Sequence, residues 1–221
     1  MPANGKRVLP GWHLALLLAT GAPACAAEEI RVIETRSLPA GQARAPRPSH
    51  GLQLSLYLFR GARWSPEDVA AAALESARLL GQCGVALTSA GLHVVQAPPR
   101  FHVYFTPVSR ELLRRLPVVK PAVFFVDDTH NTPAFDAEAI GRGNATGRPE
   151  LADTVWVAHG ARDLPLALAH ELVHVLSDSG EHSDEPGNLM RNETSPNNTG
   201  LTGAQCERLR SRGEANGLLR R

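Results

Sequence analysis

Leu164-Pro165-Leu166-Ala167-Leu168-Ala169-His170-Glu171-Leu172-Val173-His174-Val175-Leu176 is apolar or helix-forming at every position except His170, Glu171, His174 and the proline near its start. The run predicts a buried helix with two histidines set inside it. Residues four apart on a helix lie one above the other, so both imidazoles face one point in space. Glu171 is turned about 100° from His170. It can approach whatever the two imidazoles hold without itself becoming a ligand. Buried polar rings are costly without partners.

A metal ion supplies that partner, and His-Glu-x-x-His on a helix is the pattern of zinc hydrolases. A catalytic zinc takes three protein ligands and keeps a fourth position open, so His170 and His174 need a companion. His182 is the only histidine downstream of the helix, and Asp178, Asp184 and Glu185 are the oxygen alternatives. A helix continued beyond His174 would carry later residues away at about 1.5 Å each. The chain must therefore turn back, and Ser177-Asp178-Ser179-Gly180 has turn-forming residues. His182 follows the turn and is taken as the third ligand ahead of Asp178, which comes while the helix is ending. Asp178 is read alternatively as a hydrogen-bond partner of a ligand imidazole.

At 221 residues the chain suits one domain, and its net charge of +1 gives no electrostatic case for nucleic acid. Hydrophobic content is an ordinary 43%, but aromatics are only 5%, so the core is expected to rest on Leu, Val and Ala.

Lys6 and Arg7, the apolar run Leu14-Ala15-Leu16-Leu17-Leu18 and the small residues up to Ala27 form a secretory signal peptide pattern, residues 1–27, with cleavage after Ala26 or Ala27. The run is too short to span a membrane. Cys25 lacks the large aliphatic residue three positions before it that a lipidation site usually carries. Two cysteines then remain in an oxidising compartment, so Cys83 and Cys206 are expected to pair. The expected location is secreted or periplasmic.

Residues 28–50 read as an N-terminal segment, with strand-like Ile30-Arg31-Val32-Ile33, followed by a Pro/Arg/Ala/Gly-rich linker. Residues 51–221 read as the functional domain. Residues 52–59 form a strand, and Ser65-Pro66-Glu67-Asp68 opens a helix up to about Leu80. Residues 85–88, 92–96 and 102–105 are shorter strands, 110–116 a short helix, 122–126 a core strand and 154–158 the last strand before the motif helix. Residues 127–149 read as a loop; Asp127-Asp128 in it is taken as solvated rather than as a calcium site. An irregular segment follows at 177–200, and Thr202-Gly203-Ala204-Gln205 is a capping box opening a last helix. The fold class is α+β, a twisted mixed sheet with packed helices.

Residues 170–190 resemble the metzincin superfamily of zinc endopeptidases. His170, Glu171 and His174 match its motif, and Asn188-Leu189-Met190 looks like its Met-turn. The family's glycine position holds Ser177 and its third-ligand position Gly180, so the spacing to His182 is longer. The resemblance implies a zincin-like fold and a zinc-dependent endopeptidase acting on peptides or proteins, with Glu171 as general base on a zinc-bound water. It also implies that the strand directly before the motif helix, 154–158, is the edge that receives substrate. Two rival readings are a gluzincin-like peptidase with Glu193 or Glu207 as third ligand, and a non-catalytic zinc module. The chain is expected to be a monomer. His93, His102, His130 and His159 are given no metal role.

Overall fold

Alternating side chains of four adjacent strands, largely apolar and buried on both faces, set the architecture. The computed structural model describes Met1 and residues 29–39, 48–192 and 195–221. The expected signal peptide, except Met1, lies outside the described residues, as do residues 40–47 of the expected linker and Glu193. The strands and helices in chain order are β1 (Arg31–Leu38), β2 (His50–Phe59), α1 (Pro66–Leu80), β3 (Val85–Gln96), β4 (Val103–Tyr104), α2 (Thr106–Arg115), β5 (Ala122–Val126), β6 (Asp128–Thr129), β7 (Ala137–Ile140), β8 (Thr154–Ala158), α3 (Leu164–Ser177), α4 (Gly203–Ala215) and β9 (Leu219–Arg220).

The main sheet runs β1-β3-β2-β5-β8-β7, with β9 alongside the start of β2. β2, β3, β5 and β8 are mutually parallel, while β1 and β7 run antiparallel at the two edges. A parallel core must be covered on both faces. One face carries Leu54, Leu56, Leu58, Phe125, Val155 and Val157 against the helices α1, α3 and α4. The other carries Tyr57, Phe59, Phe124 and Trp156, closed by Tyr104, Leu112 and Leu116.

The second face departs from the expected aliphatic core. In-register pairing aligns His93, Tyr57, Phe124 and Trp156 across four strands. Their rings stack at 4.8, 4.9 and 4.4 Å between centroids. Few aromatics suffice because they are concentrated on one face.

Several expectations need correction. Residues 85–88 and 92–96 are one strand, β3, and the small residues between them continue it. A side chain at Gly91 would meet the His93 ring at 2.8 Å, so glycine is what lets that ring lie down beside Tyr57. The strand expected at Ile30-Arg31-Val32-Ile33 runs on to Leu38, so residues 36–38, expected in the linker, belong to the sheet and pair along β3. The strand expected to be the receiving edge, β8, is interior, bonded to β5 on one side and β7 on the other. The true edge on that side is β7, inside the segment expected to be a loop.

The helices start as their capping residues dictate. Ser65 accepts the Asp68 N–H, and Thr202 and Gln205 close the capping box. The Ser76 hydroxyl bonds the Pro165 carbonyl at 2.7 Å and ties α1 to the start of α3. Cys83, just beyond α1, is joined to Cys206 in α4 as a disulfide. Among the described residues no helix is long and apolar enough to cross a membrane.

Candidate metal centre

α3 ends where its sequence turns polar. Ser177 is its last residue, and Asp178 takes the left-handed conformation at φ +47°, while the Ser179 N–H returns to the His174 carbonyl at 3.1 Å. The turn is thus made by Asp178 and not by Gly180. It reverses the chain at once, and His182 comes back over the helix.

His170, His174 and His182 converge, with ligand atoms within 4.8 Å of one another. Their ring centroids lie 4.7, 5.2 and 4.9 Å apart. His170 and His174 are buried and His182 is exposed. Two backbone carbonyls set the tautomers. His170 Nδ1 lies 2.8 Å from the Leu189 oxygen, and His174 Nδ1 lies 2.6 Å from the Ser179 oxygen. A carbonyl only accepts, so each Nδ1 carries the hydrogen. Burial, before any other cause, pushes both imidazoles down, His174 to about 4, so both are neutral near pH 7. Each Nε2 is then left with a bare lone pair, and the two Nε2 atoms lie 2.9 Å apart. Two acceptors that close repel unless a cation lies between them. The donor set therefore fits a metal: three imidazole nitrogens suit zinc, and the Nδ1 bonds are the outer contacts that orient metal-binding histidines.

The segment that looks like a Met-turn organises the carbonyl beneath His170. Asn188 exchanges two bonds with Gln205, at 3.0 and 3.2 Å, and its oxygen accepts the Met190 N–H at 2.8 Å. The Leu189 N–H bonds the Gly200 carbonyl at 2.7 Å. Met190 itself is buried in the helix-side core.

Two of the alternatives to His182, Asp178 and Glu207, are placed differently from the three imidazoles. Asp178 Oδ1 accepts the Gly143 N–H at 2.9 Å, holding the loop that leaves β7 against the end of α3. Glu207 lines a separate hollow on α4 with His50 and Glu214. His102 stacks on Phe59, and His159 meets the edge of Trp64.

A cleft of about 540 Å³ opens over the three histidines, walled on one side by Ala137, Glu138 and Ala139 of β7. Glu171 lines it too. Burial pushes the Glu171 carboxyl up to about 8; Glu138 adds to the rise, and a bond from the Ala139 N–H offsets part of it. The β7 wall was not legible from the sequence. Its register explains which main-chain groups face outward. The Asp136 carbonyl accepts the Ala158 N–H at 2.8 Å. Inward-facing main-chain groups recur every second residue, so those of Glu138 and Ile140 face β8 and those of Ala137 and Ala139 face the cleft.

A mixed twisted sheet with a histidine-bearing helix packed behind it, followed by an irregular segment and a last helix, is a zincin-like fold. The crystal structure of metalloproteinase-II from Bacteroides fragilis is similar to it at TM-score 0.51 and 18% identity. The alignment covers 81% of this chain and 57% of that one, so the chain spans little more than half the length of that protein. At this identity the likeness is one of fold. No protein-family model matches the chain, and no curated protein does.

Proposed function

We propose that this chain is an exported, metzincin-like metallopeptidase that holds zinc on His170, His174 and His182 and hydrolyses peptide bonds in peptides or proteins. The observation that carries the reading is the facing pair of unprotonated Nε2 atoms 2.9 Å apart, each ring fixed by a carbonyl behind it. When bound, the metal supplies Lewis acidity towards a carbonyl oxygen and acidifies water.

The protein's own groups do the rest. An extended peptide adds to the free edge of β7 through the outward main-chain groups of Ala137. That edge lays the peptide across the cleft beside the histidines. Glu171, one residue on from His170, takes a proton from the attacking water and delivers it to the leaving amine. Its high pKa without the metal marks a carboxylate held in a poorly solvated site, where proton transfer in both directions is feasible. The predicted signal peptide and the disulfide both suit an oxidising compartment.

Glu171→Gln on the zinc-loaded protein is the test. Turnover of an unfolded protein substrate is expected to fall by about three orders of magnitude or more while zinc stays bound. Equal turnover in the variant and the wild type would remove Glu171 from its role.

A further inference from the structure

Glu138 lies within the edge strand that walls the cleft, in register with Trp156, so its side chain extends from that edge on the aromatic face of the sheet while Ala137 and Ala139 face the helices. It is half-buried, and among the described residues its carboxylate has no hydrogen-bond or ion-pair partner. Among the described residues Arg148 is the one cation whose field reaches it, and that guanidinium rests on the Asn144 carbonyl at 3.3–3.4 Å instead of closing an ion pair. Burial raises the Glu138 pKa, so its charge is held at a cost. The described residues that line the cleft include no lysine or arginine. Desolvated carboxylates without a counter-charge are rare unless something arrives to pair with them.

The strand geometry says what arrives. A peptide laid along β7 alternates its side chains between the same two faces as β7. A residue facing Glu138 across the new pair comes within about 4.5–5.5 Å at Cβ, close enough for a long basic side chain to reach the carboxylate. On the peptidase reading above, we infer that Glu138 is a specificity-determining residue that selects peptides carrying an arginine or lysine at the position facing it. Arginine is favoured because its planar fork pairs with a carboxylate through two parallel bonds.

The experiment uses alanine-rich decapeptides with a single arginine, or its neutral isostere citrulline, scanned along the sequence. At one position the arginine peptide is expected to exceed the citrulline peptide in kcat/KM by about ten- to a hundredfold. Glu138→Gln is expected to bring that ratio to about one. Glu138→Lys is expected to reverse the preference in favour of a glutamate-bearing peptide. The same ratios are read as affinities by calorimetry on the zinc-loaded Glu171→Gln protein, where nothing is turned over. A wild type that binds with this charge preference but cuts no peptide would sink the peptidase reading and support the selection by Glu138. An arginine preference that is absent, or that persists unchanged in both Glu138 variants, would overturn the selection.

Discussion

Asp178 shows how a carboxylate beside three converging imidazoles can be turned to a different partner. Four residues after His174, it falls on the stripe that faces the metal for as long as the helix lasts. The helix ends one residue earlier, and the left-handed backbone at φ +47° swings its carboxylate to the Gly143 N–H. A β-carbon at Gly141 would lie 2.8 Å from that carboxylate oxygen, so the two chains meet tightly there. Asp178→Ala loses the bond and leaves alanine in a conformation it dislikes, at a joint cost of about 2 kcal/mol. Asp178→Asn, which tolerates that conformation, is expected to cost less. Thermal unfolding followed beside zinc content checks this: both variants should keep zinc, and the alanine variant should melt lower. Zinc lost from Asp178→Ala but kept by His182→Ala would make Asp178 the ligand.

At the scale of elements, legibility followed burial. α3 was readable because an apolar run interrupted by two histidines at helical spacing has one sensible solution. α4 was readable because Thr202 and Gln205 announce its first turn. The start of β1 is legible in Ile30-Arg31-Val32-Ile33, but its end is not, because both its faces are exposed and no alternation marks where it stops. β7 was missed because four residues, Ala137-Glu138-Ala139-Ile140, carry two alanines and a glutamate that favour helices and give no strand signal. Its place at the edge comes from tertiary pairing with β8, which a local pattern does not encode. That omission moved the expected substrate edge onto β8, its neighbour.

The cover over the aromatic face has its own electrostatic tie. Glu150, in the short turn before β8, bonds Arg114 at 2.7 Å and also Arg110, both on α2. Burial pushes its carboxyl up, but the two guanidiniums together pull it further down, to about 2 from 4.5. A folded-state value below the unfolded one means the stabilisation is complete above about pH 4.5 and is lost as pH falls towards 2. Glu150→Gln is therefore expected to cost about 1–2 kcal/mol at pH 7 and close to nothing at pH 2. Urea unfolding of variant and wild type at both pH values checks it; a cost that does not change with pH would show that the pairing is not ionic.

Across the whole molecule, the sheet separates two cores, and the three-histidine candidate metal centre lies at the end of the helical one. The Cys83–Cys206 disulfide links residues 123 apart and pins the end of α1 to α4. α4 in turn supplies Gln205, which holds Asn188 and so the chain that offers the Leu189 carbonyl to His170. Fold and site are thus one construction: long-range ties fix two carbonyls, the carbonyls fix two imidazoles, and the imidazoles are left facing each other. All of this has a purpose only if a cation is held between them. Metal analysis of the purified protein and of His170→Ala, His174→Ala and His182→Ala tests that most directly. About one zinc per wild-type chain, with zinc affinity falling at least tenfold in each histidine variant, is the expected result. A wild type that takes up no zinc after refolding in its presence, or zinc held equally well without His170, would contradict it.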